Sequence, residues 1–138
     1  TLTKHAPMMD LSPDGKTLVF SVTPHAYEHS LVTLPTSGGR PEILGEETET
    51  HSWGARWSPD GSQLAYITSN RLYVVGAAGG TPNEVAHLAD GWVSVSPRWS
   101  PDGAFLAARG RDRGFGANPA VFVVPAAGGA LRHLTTFV

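Results

Sequence analysis

The chain has no cysteine among its 138 residues, so it forms no disulfide and offers no thiolate to a metal. The chain also lacks a large excess of charge of either sign. It has 10 Lys and Arg residues and 12 Asp and Glu residues, which give a formal net charge of -2. That balance argues against nucleic acid or an anionic membrane surface as the main partner. No apolar run approaches the roughly 20 residues that span a bilayer. We therefore expect no nucleic-acid and no membrane partner. The compartment stays open, with the cytoplasm favoured over the periplasm.

Signatures of catalysis are absent as well. The sequence has no GxSxG nucleophile elbow, no HExxH, no phosphate-binding loop and no spaced aspartates of a calcium loop. We predict that this chain carries no catalytic residue, no metal ligand set and no cofactor. We also expect the isolated chain to show neither peptidase nor esterase activity.

What the sequence does contain is one turn written three times. The tetrapeptide SPDG begins at Ser12, Ser58 and Ser100, and its aspartates lie 46 and 42 residues apart, a spacing typical of one propeller blade. Proline presets φ at the second position of the turn, and serine and aspartate hydrogen-bond nearby backbone. Glycine then supplies the left-handed conformation that closes a bulged hairpin. We interpret these aspartates as structural and not catalytic.

Aligning the repeats on SPDG predicts four short strands in each. A strand ending in a large apolar residue precedes the turn, and apolar segments follow it as TLVFSV, QLAYIT and FLAARG. The third strand and its exit then align without a gap as LVTLPTSGG, LYVVGAAGG and VFVVPAAGG, and the glycine pairs indicate a second tight hairpin. A fourth strand closes each repeat. Continuous apolar stretches predict that both faces of each sheet are buried.

The predicted fold class is therefore all-β, with three four-stranded antiparallel blades of a partial β-propeller. The expected domain is 1–138, with blades at about 4–45, 50–89 and 92–135. A stack of three blades would leave an apolar face at each end, more than soluble monomers usually expose, so self-association through these faces is expected and two copies could close a six-bladed ring.

Both kinds of turn belong to one end of such a meander, and variable loops belong to the other end, where binding usually resides. The candidate binding residues lie in the loop after the second strand of the third repeat: Arg109, Arg111, Arg113 and Phe115. They suit a carboxylate-binding or nucleic-acid-binding loop, or a solvated loop in which Asp112 offsets the arginines.

Three other sets of residues could suggest a binding site but also have a simple structural explanation. His25 and His29 lie too close to Pro24 for a helical metal-binding pair. The acidic residues Glu46, Glu47 and Glu49 suit a cationic ligand or a solvated charge run. Four tryptophans suggest a sugar platform, but Trp57 and Trp99 occupy one position of successive repeats and are expected in the core, whereas Trp92 is placed in a linker.

The string WSPDG followed by LAY, LYVV and a glycine-pair hairpin resembles the TolB-like propeller repeat, found in TolB and in the propellers of prolyl oligopeptidase-family serine peptidases. The resemblance covers nearly the whole chain. The segment HSWGARWSPDGSQLAY is most similar to the acylaminoacyl-peptidase branch.

This resemblance implies a parent enzyme in which an α/β-hydrolase domain carries the catalytic Ser, Asp and His, none of which maps onto this sequence. The propeller would cover the active site and admit only short peptides. The implied partners are that missing hydrolase domain, the remaining blades and the peptides that pass to the active site. The alternative is a TolB-like protein-binding module without a hydrolase domain.

Overall fold

A computed structural model describes residues 9–22, 29–48, 53–68, 70–87, 91–93, 97–112 and 120–135. Thirteen β-strands and no helix lie in these ranges, which therefore contain no helical segment able to cross a membrane. The strands are β1 Met9–Leu11, β2 Thr17–Val22, β3 His29–Pro35, β4 Glu42–Thr48, β5 Trp53–Trp57, β6 Gln63–Thr68, β7 Arg71–Gly76, β8 Asn83–His87, β9 Gly91–Val93, β10 Arg98–Trp99, β11 Phe105–Asp112, β12 Ala120–Pro125 and β13 Arg132–Thr135.

The strands form three antiparallel sheets in chain order. The first sheet is β1-β2-β3-β4 and the second is β5-β6-β7-β8. The third is β10-β11-β12-β13, with β9 added beside β11. Apart from β9, each strand pairs with its neighbours along the chain, so each sheet is a four-stranded antiparallel meander and the predicted all-β fold of three four-stranded blades is confirmed.

The innermost strand of the third sheet is interrupted. β9 pairs with Gly110–Asp112 at one end of β11, and β10 pairs with Leu106 and Ala107 at the other. Pro97, directly before β10, has no N–H to donate to β11. The expectation that Trp92 belongs to a linker was wrong, because Trp92 lies in β9 opposite Arg111.

The SPDG turns confirm the interpretation of their residues as structural. In the second turn the N–H of Gly61 donates to the carbonyl oxygen of Ser58 at 2.9 Å, and Gly61 has a φ of +72°. The Ser58 hydroxyl donates to Asp60 Oδ1 at 2.7 Å and accepts from the N–H of Gln63 at 3.0 Å. The same bonds recur in the turns at Ser12 and Ser100.

The glycine-pair turns lie at the same end of each sheet as the SPDG turns. In the second sheet the N–H of Ala77, in the glycine-pair turn, donates to the carbonyl oxygen of Ser62, which follows SPDG. Thr36 and Ala126 make the equivalent bonds in the other two sheets. The predicted arrangement, with both kinds of turn at one end of the meander, is confirmed.

Two hydrophobic clusters hold the sheets together, and they lie on opposite faces of the second sheet. Alternate residues of β6 enter each one: Leu64 and Tyr66 pack with Val19 of the first sheet, whereas Ala65 and Ile67 pack with Phe122 of the third. A pleated strand points successive side chains to opposite faces, which explains the division. Among the described residues, only the second sheet has a cluster on each face, whereas Leu11 of the first sheet and Leu134 of the third are 49% and 53% exposed. The prediction that every sheet is buried on both sides is therefore wrong for the first and third sheets.

Strand bounds differ from the predicted loops at the end opposite the turns. β4 continues to Thr48, β11 continues to Asp112, and β3 begins at His29. The strands at this end are longer than the sequence suggested, because Thr48 still pairs with His29 and Asp112 still pairs with Gly91 through the backbone.

Candidate functional site

The first strands of successive sheets contact one another, β1 with β5 and β5 with β10. In a propeller the strands that converge in this way border the central channel. The side chains at this edge form a group that we call the inner-edge cluster: Asp10, Arg56, Trp57, Arg98 and Trp99. They line a shallow cavity of about 240 Å³.

Asp10 and Arg56 link the first two sheets within this cluster. Asp10 Oδ2 accepts a hydrogen bond from the backbone N–H of Trp57 at 2.9 Å, and Asp10 Oδ1 lies 3.4 Å from Arg56 Nη1. The same guanidinium nitrogen donates to the carbonyl oxygen of Met9 at 3.2 Å. The side chains of Arg56 and Asp10 are 19% and 29% exposed, so both charges are partly removed from water and their pairing is stronger than at an open surface.

The two repeated tryptophans differ in their hydrogen bonding. Trp99 donates its indole N–H to the carbonyl oxygen of Arg56 at 3.0 Å, which joins the third sheet to the second. The indole nitrogen of Trp57 is buried and finds no hydrogen-bond partner among the residues that the structure describes. Both rings pack against the hydrophobic clusters, as predicted from their shared repeat position.

Arg98 is the charged residue of the cluster that faces solvent. It is exposed, and within the described residues its guanidinium makes no hydrogen bond or ion pair. An arginine is a planar donor suited to a carboxylate or phosphate. The cluster therefore presents a cationic group beside two aromatic rings, an arrangement that can bind a carboxylate but has no nucleophile or general base placed to act on it.

A larger groove of about 730 Å³ opens between the first two sheets at the turn end, and Asp14, Asp60, Glu42 and Trp57 are among the residues that line it. Its aspartates are occupied within their own turns. The hydrogen bonds from Ser58 and from the backbone and side chain of Ser62 lower the pKa of Asp60 to about 2. The equivalent bonds from Ser12 lower the pKa of Asp14. These carboxylates stay ionised at neutral pH and hold the turns.

The sequence-predicted binding residues are only partly within the described part of the chain. Arg109 is exposed and lies on β11 opposite Val121, and Arg111 pairs with Trp92 through the backbone. Arg113 and Phe115 lie outside the described residues. The proposed role of this loop in binding remains a prediction.

Within the described residues, the histidines and the acidic residues considered in the sequence analysis do not come together in a site. His25 and Glu49 lie outside the described residues, and the described ranges hold no group of three His, Cys, Asp or Glu residues able to bind a metal. Sequence reasoning missed the inner-edge charges, although a signal existed: Asp10, Arg56 and Arg98 occupy the same repeat position, directly before Leu11, Trp57 and Trp99.

The fold and this geometry can be set beside known proteins. Over 74 residues, 49% of its length, the chain is 40% identical to the uncharacterized peptidase YuxL of Bacillus subtilis. TolB from Acinetobacter baumannii superposes with a TM-score of 0.75 at 21% identity over 96% of this chain. The three sheets have the fold of TolB β-propeller blades. Prolyl oligopeptidase B from Galerina marginata superposes with a TM-score of 0.63 at 15% identity over 91% of the chain.

The chain spans a small part of these proteins. It covers 10% of YuxL, 32% of the TolB chain and 21% of the prolyl oligopeptidase chain. No protein-family model matches the sequence. The blade fold is thus shared with both the TolB and the prolyl oligopeptidase structures, and the fold alone does not choose between them.

Proposed function

We propose that this chain is the non-catalytic propeller portion of a serine peptidase of the prolyl oligopeptidase type, closest in kind to the acylaminoacyl-peptidase branch. In that role it covers the active site of an α/β-hydrolase domain in the parent protein and restricts access to short peptides. The observation that carries the proposal is the 40% identity to a peptidase, YuxL.

The packing of the blades supports this role. A cover that selects by size must resist opening, and the blades are joined by two hydrophobic clusters and by the Asp10 and Arg56 contacts at the inner edge. The described residues offer no catalytic arrangement of their own. Arg98 would meet the carboxylates of peptides that pass along the inner edge. Bond cleavage would belong to the Ser, Asp and His of the missing hydrolase domain.

The coding sequence around this segment gives the first test. We expect an in-frame hydrolase domain with a GxSxG nucleophile elbow, together with further blades. A reading frame that ends after additional blades, with no hydrolase domain on either side, would contradict the peptidase assignment.

Size selection is the second test and uses the full-length protein. A short N-acylated peptide should be cleaved and a long unfolded polypeptide should not, and Asp10→Ala should raise cleavage of the long substrate by loosening the first two blades. Gly128→Ala is the control, because it strains a turn at φ +90° away from the blade contacts. If Asp10→Ala leaves the ratio of the two cleavage rates unchanged, the covering role of this interface is wrong.

A TolB-like protein-binding module without a hydrolase is the second candidate. It is favoured by the closer superposition on TolB, with a TM-score of 0.75 against 0.63 for the prolyl oligopeptidase. In that case the full-length protein would not react with a serine-directed fluorophosphonate probe. A labelled active-site serine would exclude this candidate.

A further inference from the structure

The larger groove, between the first two sheets at the turn end, has a smaller counterpart at the next junction. Their volumes are about 730 Å³ and about 340 Å³. Both walls of each groove belong to the described chain, so neither groove is an exposed end of the stack. The difference in volume therefore comes from the residues that line the larger groove.

The residues that distinguish the larger groove are Thr33 of β3 and Glu42 of β4. They lie directly opposite each other on paired strands, and both line the groove. In the second sheet the same two positions are Val74 and Asn83. Val74 is 4% exposed and packs in the cluster against the third sheet. The first sheet thus has a hydroxyl and a carboxylate where the second has an apolar contact and a neutral amide.

The hydroxyl of Thr33 makes no hydrogen bond within the described residues, although Thr33 is only 8% exposed. A buried polar group is normally hydrogen-bonded, because its desolvation is otherwise uncompensated. Valine, which has nearly the same shape, would fill the position without an unpaired hydroxyl. We interpret this hydroxyl as a hydrogen-bonding group for a molecule that enters the larger groove.

The charge of the larger groove has one sign. Its lining includes the carboxylates of Asp14, Glu42 and Asp60 and no Lys, Arg or His residue. Asp14 uses Oδ1 alone in its turn, since the Ser12 hydroxyl and the N–H of Lys16 both donate to that atom. Within the described residues Asp14 Oδ2 accepts no hydrogen bond, and the carboxylate of Glu42 has neither a hydrogen bond nor an ion pair. The groove is therefore suited to a cation.

The apolar part of the lining indicates which kind of cation. Trp57, Pro13 and Pro35 line the groove together with the carboxylates. An arginine side chain can stack its guanidinium on an indole ring and donate to a carboxylate, while its alkyl stem packs on apolar side chains. A metal ion fits less well, since the described residues contain no group of three His, Cys, Asp or Glu residues able to hold one.

We propose that the larger groove binds an arginine side chain from a basic segment of a partner protein. Glu42 and Asp14 pair with the guanidinium, and the Thr33 hydroxyl accepts one of its hydrogen bonds. The site lies at the turn end of the blades, opposite the variable loops. It does not depend on the peptidase proposal, because it uses no property of a hydrolase domain.

Isothermal titration calorimetry on the full-length protein tests this site. The protein is first treated with a serine-directed fluorophosphonate, so that a peptidase active site can neither bind nor cleave the probe. The probe is the acetylated and amidated peptide Gly-Arg-Gly-Arg-Gly, and its matched control has citrulline in place of both arginines. We expect the arginine peptide to bind, with an affinity that falls as the salt concentration rises, and the uncharged citrulline peptide not to bind.

Three variants locate the binding. Thr33→Val introduces the residue of the matching position in the second sheet and should weaken binding about fivefold by loss of one hydrogen bond. Glu42→Gln, at an exposed position, should weaken binding about two- to fivefold. Glu84→Gln removes the same charge at an exposed position outside the groove and should bind like the wild type. Circular dichroism should show the same strand signal in all three.

Four results would overturn the proposal. Absence of binding by the wild type, or equal binding of the arginine and citrulline peptides, would show that the groove does not recognise the guanidinium. Unchanged affinity in both Thr33→Val and Glu42→Gln would place the peptide at another site. Tighter binding of spermine than of the arginine peptide would assign the groove to a small polyamine and not to a protein segment.

Discussion

The carboxylate of Asp10 accepts a hydrogen bond from the backbone N–H of Trp57 at 2.9 Å, although the two residues lie in different sheets and 47 positions apart. The pair fixes the first blade against the second at the inner edge. If a partly buried backbone N–H loses its acceptor, its desolvation is no longer compensated by a hydrogen bond, and the folded state is destabilised.

Asp10→Ala should therefore lower the free energy of unfolding by about 1–3 kcal/mol, since both the N–H of Trp57 and the guanidinium of Arg56 lose a partner. Asp10→Asn retains an acceptor oxygen and should cost less. Urea denaturation at one protein concentration, followed by tryptophan fluorescence, measures both. Equal stability of wild type and Asp10→Ala would show that this contact does not hold the blades.

The two repeated tryptophans give a matched pair for a second prediction. Trp99→Phe removes the donor to the carbonyl oxygen of Arg56, whereas Trp57→Phe removes a buried N–H to which the described part of the chain offers no acceptor. Both changes lose similar ring area, so their difference isolates one hydrogen bond. We expect Trp99→Phe to be the more destabilising by about 1 kcal/mol. Thermal unfolding of the two variants provides the comparison, and a larger loss for Trp57→Phe would contradict it.

Ionisation of the turn aspartates makes folding stability depend on pH in the acidic range. Asp60 has a pKa of about 2 in the folded chain, below its ordinary value of 3.8, because hydrogen bonds from Ser58 and Ser62 favour the ionised form. A depressed pKa means that the stabilisation is fully present above pH 3.8 and is lost as the pH falls toward 2. Asp14 and Asp102 are shifted in the same direction.

Asp60→Asn should accordingly flatten the dependence of unfolding free energy on pH between about 4 and 2. Denaturation midpoints measured across that interval test this. The control is Glu42→Gln, at an exposed position outside the SPDG turns. An unchanged slope for Asp60→Asn would mean that its carboxylate is not selectively stabilised in the folded state.

Tyr66 gives a spectroscopic prediction. Its ring stacks on that of Tyr73, with centroids 5.4 Å apart, and burial together with the neighbouring phenol raises the pKa of Tyr66 to about 12. In an absorbance titration at alkaline pH, one tyrosine should ionise late, and the late step should vanish in Tyr66→Phe. Because this pKa is raised above the unfolded value near 10, folding stability should fall as the pH rises from 10 to 12. A late step that persists in Tyr66→Phe belongs to another tyrosine.

The sequence predicted the parts of the fold that depend on local chemistry. The three SPDG turns and two of the second strands, Thr17–Val22 and Gln63–Thr68, have the expected bounds, since each turn is closed by hydrogen bonds within six residues. The relation of Asp10 to Arg56 could not be predicted in the same way. It depends on how two separate sheets are placed against each other, which no local pattern specifies.

The strand β9 is a second feature that the sequence pattern could not predict. Gly91–Val93 is too short for a periodic pattern, and it becomes a strand because the extended end of β11 offers it backbone partners. The candidate binding loop after β11 was chosen for its arginines, but only Arg109 and the backbone of Arg111 lie in the described residues. That choice remains open to experiment.

Coverage of the second blade on both sides has a consequence for the order of unfolding. Each blade is a meander of chain neighbours, and within the described residues the blade contacts join successive blades, so cooperativity passes between adjacent units as in a linear array. Within this segment the second blade therefore keeps one packed face when either of its two neighbours opens. Amide hydrogens of β6 and β7, which serve both hydrophobic clusters, should be the slowest to exchange with deuterium.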